Sequence, residues 1–197
     1  MIKSATPTSI HELFSHEKNI FYEIPKYQRE YSWTKDQWSA LFNDLMEEDA
    51  LSGHFLGTII GVDKTGSVLN SRTLEVVDGQ QRLTTIALLL VALYSELQER
   101  KDQLTNDDHR SDLTNLRRML ISGENAQPRI KLQIQNNNSA DFLAVMKEGG
   151  LEVEAANIRY SGNRKIRKAY RFFKNCIQMR ILSESISEIT TLLDILN

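Results

Sequence analysis

Leu83 to Tyr94 (LTTIALLLVALY) is polar only at Thr84, Thr85 and Tyr94. A helix that is apolar all round is buried all round. Twelve residues are too few to cross a bilayer. The run therefore predicts a helix at the centre of a core, and the rest of the chain must wrap it. With 197 residues, the chain can bury such a core without a disulfide or metal staple. Its single cysteine, Cys176, excludes a disulfide framework and a multi-cysteine zinc site, and is read as core packing. His11, His16, His54 and His109 include no finger-type pair. No stretch approaches the roughly 18 apolar residues of a membrane span. The start, MIKSATPTSI, has no apolar signal core. A cytoplasmic setting with no membrane partner is the expectation.

The elements around that helix follow from caps and periodicity. Ser9-Ile-His-Glu12 predicts a capping box opening a short helix. Residues 20–24 suit a strand, and Pro25 predicts an extended segment through Trp33. Thr34-Lys-Asp-Gln37 is a second capping box. Behind it Trp38, Leu41, Phe42, Leu45 and Met46 share one helical face, and Glu47, Glu48 and Asp49 finish the helix. Residues 54–62 and 72–77 predict a hairpin around the turn Asp63–Gly66. Helices are expected at about 108–121 and 137–147, the latter capped within Asn136–Ser139, with a short strand at 129–134 between them. From Gly162 the chain should be helical to its end, with Ser185 capping a last helix that carries Ile186, Ile189, Leu193 and Leu196 on one face. The fold class is thus α+β: a small mixed sheet packed on the buried helix, with a mainly helical second half. Residues 1–135 form the first expected region, which holds the sheet and the buried helix, and 136–197 a helical region.

The junction between the second hairpin strand and the buried helix, Asp78-Gly-Gln-Gln-Arg82, carries the chemistry. A helix start leaves backbone N–H groups unpaired and partly positive. Gly79 would let a phosphate approach the backbone closely, and Arg82 adds a fork of donors suited to phosphate. Asp78 could hold Mg²⁺ or orient a water. Gln80 and Gln81 could position a water or bond a base. The ensemble resembles a phosphate cradle but is not a P-loop, because G-x-x-x-x-G-K-[ST] is absent. A bland alternative stands beside it: Asp78 as N-cap, Asp78-x-x-Gln81 as a capping box, Gly79 serving only the turn. Upstream, Pro25-Lys-Tyr-Gln-Arg-Glu-Tyr-Ser-Trp33 interleaves aromatics with Gln28, Arg29 and Glu30. That pattern suits a base or a phosphate, though core packing is the more ordinary role for Tyr27, Tyr31 and Trp33. His54 could face the same cleft but reads more simply as a strand residue.

Charge is uneven: net −5 over residues 1–98 and +3 over 99–197. Arg159, Arg164, Lys165, Arg167, Lys168, Arg171, Lys174 and Arg180 fall in a stretch without acids. Ile166, Ala169, Tyr170, Phe173 and Ile177 form the apolar face of the same helix. Arg164, Lys165, Lys168 and Arg171 are then expected to point outward, as a track for DNA phosphates or as a solvated face neutralised by acids such as Glu47, Glu48 and Asp49.

IPKYQREYSW and VVDGQQRLTTI, with HFLGTIIG between them, together resemble the N-terminal domain of GmrSD-type modification-dependent restriction endonucleases, a family with SspE-like phage-defence effectors. More distantly the arrangement is similar to the ParB/sulfiredoxin-like fold. The resemblance implies a sensor domain that hydrolyses a nucleoside triphosphate (GTP, UTP or another) with Mg²⁺. It also implies coupling to a nuclease that cuts modified foreign DNA. Asp78, Gly79, Gln80, Gln81 and Arg82 match the family's signature, and Gln28 and Arg29 its upstream Y-Q-R motif. On this hypothesis Asp78, Gln81, Arg82 and Gln28 are the expected catalytic residues, with Asp78 on the metal. Gly79, Gln80, Arg29 and Tyr27 go to nucleotide binding. All four histidines precede residue 110, so the expected His-Asn-His nuclease would belong to an absent domain or a partner. A homo-oligomer stays open. Two alternatives remain: a non-catalytic DNA-binding or regulatory module that uses nucleotide only as a ligand, and a direct nuclease.

Overall fold

The computed structural model describes residues 5–15, 17–46, 55–65, 71–103, 107–122, 126–133, 137–155 and 164–184. The elements in order are α1 (Ile10–Leu13), β1 (Ile20–Glu23), α2 (Lys35–Met46), β2 (Ile60–Asp63), β3 (Arg72–Asp78) and α3 (Gln80–Glu99). They continue with α4 (Asp107–Leu120), β4 (Ile121–Ser122), β5 (Gln127–Pro128), β6 (Ile130–Lys131), α5 (Asn137–Glu148) and α6 (Lys165–Glu184). This is the expected α+β class. No helix among the described residues is long and apolar enough to cross a membrane.

The apolar run forms α3, and every residue from Leu83 to Leu97 is buried. Its main helical neighbours are α6 and α4. Its side chains share one apolar cluster with Tyr22, Val76 and Ile130 of the sheet. Burial continues past Tyr94 through two polar residues that the sequence pattern reads as the edge of the core. Ser95 bonds the Tyr170 hydroxyl at 3.2 Å. Glu96 is fully buried, which is costly for a carboxylate unless it is paired. Arg100 pairs with it from one turn on, Gln178 Nε2 donates to it at 2.7 Å, and Lys174 Nζ lies 3.5 Å away.

The main sheet has the order β2-β3-β1-β6. β1 runs parallel to both neighbours, with Tyr22 opposite Leu74 on one side and Ile130 on the other. β2 is antiparallel to β3, the expected hairpin. In its turn Asp63 Oδ1 accepts from the Thr65 amide at 2.9 Å, and Arg72 Nε donates to Oδ2 at 2.8 Å. The Thr65 donors, then Arg72, hold the Asp63 carboxyl down to about 2. Since β3, β1 and β6 are parallel, their carboxyl ends share one edge. Gly79, the Pro25–Trp33 segment and Gln133 all leave the sheet there.

The first capping box forms: Ser9 Oγ accepts from the Glu12 amide at 3.1 Å. At the second, Gln37 Oε1 accepts from both the amide (2.7 Å) and the hydroxyl (2.8 Å) of Thr34. Trp38, Leu41, Phe42 and Leu45 are buried as expected, and Met46 is half-buried. Trp38 and Phe42 meet Phe172 and Phe173 of α6 at ring separations of 5.8 and 6.3 Å.

Several expectations need correction. Pro25 does not start a purely extended segment: a turn closes where the Gln28 amide donates to the Pro25 carbonyl at 3.1 Å. The strand expected over 54–62 is regular only from Ile60, because Gly57 adopts φ +97° to fit against Arg82. The strand at 129–134 shrinks to Ile130–Lys131, and the two-stranded β4–β5 pair was not foreseen. The expectations for His16, Glu47 to Asp49, His54, Gly66, Asn136, Arg159 and the last helix from Ser185 lie outside the described residues.

One buried chain ties α2, the 25–33 segment and α3 together. Trp38 Nε1 donates to Tyr31 Oη at 2.8 Å, and Tyr31 pairs with Thr85 Oγ1 at 2.7 Å. Thr85 in turn donates to the Gln81 carbonyl at 2.7 Å, so the Tyr31 hydroxyl is the donor to Thr85. Burial pushes the Tyr31 phenol above its usual range, which keeps it a donor. Tyr31→Phe strands the Trp38 indole N–H. It should cost about 1–3 kcal/mol in denaturant unfolding, and an unchanged midpoint would show that the chain of bonds does not form.

Candidate functional site

β3 ends at Asp78, and Gly79 turns the chain into α3 with φ +86° and no side-chain cap. Any Cβ at Gly79 would stand 2.7 Å from the Thr58 carbonyl oxygen. The capping-box alternative is therefore corrected. Asp78 is the last strand residue, paired in register with Ile60, and cannot cap. Gln81 is turned away to other partners. Gly79 answers a local demand: a left-handed residue pressed against the backbone of the preceding strand segment.

The two sequence motifs meet at this edge. Gln81 Nε2 donates to the Glu30 carbonyl at 3.1 Å, and its Oε1 accepts from the Ser32 amide at 2.7 Å. Gln80 Nε2 donates to Gln28 Oε1 at 3.0 Å and to the Arg29 carbonyl at 3.1 Å. Gln28 Nε2 donates to the Val77 carbonyl at 2.7 Å. Gln80 and Gln81 are each 8% exposed, so their amides must be paired, and they are. The result is a latch of side-chain amides that fixes the Gln28–Ser32 backbone over the start of α3.

The charged groups sit differently. Arg82 is half-exposed and donates through Nη1 to the Thr58 carbonyl at 3.0 Å. Its guanidinium fills the space beside Gly57, where a Cβ would lie 2.5 Å from Cζ. Asp78 and Arg29 are exposed, and Tyr27 is 71% exposed. Among the described residues no hydrogen bond or ion pair engages the side chains of Asp78 or Arg29. No cluster of three His, Cys, Asp or Glu that could hold a metal occurs among the described residues. Asp78 would thus offer a metal a single carboxylate, so any ion held there would need most of its ligands from elsewhere.

The basic face of α6 is only partly as expected. Ile166, Ala169, Tyr170, Phe173 and Ile177 are all buried. Arg164, expected to point outward, instead reaches Asp141 at 2.9 Å, whose side chain is 3% exposed. Burial lifts that carboxyl above its ordinary range, and Arg164 opposes the shift. Lys165 Nζ donates to the Ser32 carbonyl at 2.8 Å and so belongs to the latch. Arg167 pairs with Glu148 at 2.6 Å and Lys174 with Glu99 at 2.5 Å. The neutralising acids come from α5 and α3. Lys168 and Arg171 remain as exposed cations.

Three contributors escaped the sequence reading. Gln133, 3% exposed, enters the latch from the end of β6. Its only signal is a polar residue between Leu132 and Ile134. Gly57 and Thr58 back Arg82, and a glycine inside a strand pattern is the usual sign of such an approach.

A protein-family model, described as the GmrSD restriction endonuclease N-terminal domain, matches residues 10–197. No curated protein matches the chain.

Gly79→Ala should destabilise the fold by about 3 kcal/mol, read from the shift in denaturant midpoint. Gly61→Ala is the control, since its methyl meets nothing closer than 3.4 Å. Equal effects in the two variants would remove the strained junction.

Proposed function

The chain belongs to the family of GmrSD restriction endonuclease N-terminal domains, and from that premise we propose that it binds and hydrolyses a nucleoside triphosphate where DGQQR meets the YQR segment. One observation carries the proposal. The uncapped start of a twenty-residue buried helix lies at the shared carboxyl edge of three parallel strands, with Arg82, Arg29 and Asp78 around it. Ligands favour the carboxyl ends of parallel strands, and an uncapped helix start favours anions.

The residues divide the work. The first-turn amides of α3 and the Arg82 guanidinium would hold phosphate oxygens, with Arg29 adding charge from the facing segment. Asp78 would hold Mg²⁺, which neutralises phosphate charge when bound. Asp78 is also the carboxylate available to orient a water. The expected water-positioning role of Gln28 and Gln81 fits less well, because both amides are engaged at both ends. They serve to hold the site's shape. Tyr27 offers an exposed ring for a base. For a loose phosphoryl transition state, such positioning and charge supply most of the catalysis. A family role in restriction makes foreign DNA, in modified form, the signal to which turnover would be coupled, with cleavage by a His-Asn-His nuclease domain or subunit. Lys168 and Arg171 are the cations available for phosphate contact.

The engaged amides also favour a second reading, in which nucleotide is a ligand and is not hydrolysed. Phosphate release by the purified chain with each nucleoside triphosphate and Mg²⁺, with and without DNA, separates the two, with DNA cleavage as control. Hydrolysis predicts that Asp78→Ala and Arg82→Ala abolish turnover while keeping a cooperative melt. Neither side chain is buried, and Asp78 is no cap, so neither loss should unfold the chain. Wild-type turnover in both variants would remove the site. Binding without phosphate release in the parent chain would leave the ligand-only reading.

A further inference from the structure

The latch has a member that no motif contains. Gln133 leaves the end of β6 and is 3% exposed. Its Nε2 donates to the Gln28 carbonyl at 2.9 Å and lies 3.3 Å from the Arg29 carbonyl and 3.4 Å from Gln80 Oε1. Three acceptors thus converge on one buried NH₂. Two belong to the backbone of the YQR segment and one to the DGQQR helix.

We infer that Gln133 is a positioning residue of the site, setting the Gln28–Arg29 backbone against the start of α3. The inference rests on the nucleotide reading above. Neither motif can do this alone. Gln80 Nε2 also donates to the Arg29 carbonyl, but Gln80 is itself part of the helix start whose spacing must be set. Gln133 approaches from a third element, the strand on the far side of β1, and so fixes both partners from outside. Lys165 acts in the same sense at the other end of the segment, through the Ser32 carbonyl. Among the described residues, Gln133 hydrogen-bonds none of Arg29, Asp78 and Arg82 through their side chains. It acts by fixing where the Arg29 side chain departs and where the Gln28 amide lies.

Without the NH₂, the Gln28 carbonyl and the buried Gln80 Oε1 lose their donor from β6, and the Arg29 carbonyl keeps only Gln80 Nε2. The segment then shifts to rehydrate them, while Arg82, Asp78 and the first-turn amides of α3 stay in place. Phosphate binding is kept, and the geometry for turnover is lost. Small misplacements of this kind cost rate far more than affinity.

The test uses the full chain with Mg²⁺ and each of GTP, UTP, ATP and CTP. Gln133→Met keeps the length and removes the donor; Gln133→Glu keeps the shape and puts an acceptor among acceptors. Turnover is expressed per folded molecule, with thermal melts alongside. In Gln133→Met, kcat should fall about tenfold or more, with KM moving far less. Gln133→Glu should fall at least as far. If Gln133→Met melts below the assay temperature, Gln133→Glu and an assay on ice supply the same comparison. Wild-type kcat in either folded variant overturns the inference and leaves the nucleotide reading standing. A rise confined to KM, with kcat unchanged, overturns it as well. A parent chain that binds none of the four nucleotides overturns both. If the parent binds without turnover, hydrolysis fails, and the inference, which concerns turnover, fails with it.

Discussion

A helix buried from Leu83 to Leu97 has no polar face, so its polar obligations fall on its ends. At the N-terminal end Gln80 and Gln81 bury their amides against the 28–32 segment. At the C-terminal end Glu96 is paired by Arg100, Lys174 and Gln178. A typical intramolecular hydrogen bond adds only about 1 kcal/mol net, whereas a buried polar group left unpaired costs up to about 3. The networks at the two ends are therefore constraints more than sources of stability. They decide which segments can lie beside α3, and α6 serves both ends through Lys165 and Lys174.

That constraint separates two kinds of polar residue at the candidate site. The glutamines face inward and are satisfied by backbone carbonyls, by Ser32 and by one another. The ionic groups face outward: Asp78, Arg29 and the half-exposed Arg82. Charged groups stay near water because desolvating them costs more than desolvating amides. The chemistry open to the site is thus electrostatic and is carried by the rim, on a frame of amides that does not need to move.

The same logic governs α6. A row of basic residues without acids in its own stretch suggests a phosphate track, yet the fold supplies the acids from α3 and α5. Asp141 and Glu96 are buried carboxylates, and each requires a cation. Arg164 and Lys174 are drawn in by that demand, which leaves Lys168 and Arg171 facing solvent. Charge in a linear window says little about charge on a surface when buried partners come from distant segments.

The sequence by itself determined the central helix, the hairpin before it, the amphipathic faces of α2 and α6, and the pairing of two motifs that marks the family. These rest on local periodicity and chain neighbours, which need no partner to be legible. Only the tertiary structure decided that Gly79 and not Asp78 stands at the cap position before α3, since the reason is the Thr58 carbonyl across the hairpin. It alone turned Gln81 toward Ser32, brought Gln133 from β6, and took Arg164 out of the exposed basic face. In each case the deciding partner lies far along the chain and is brought close by strand pairing or by burial. A buried polar atom must accept whichever donor the packing places there.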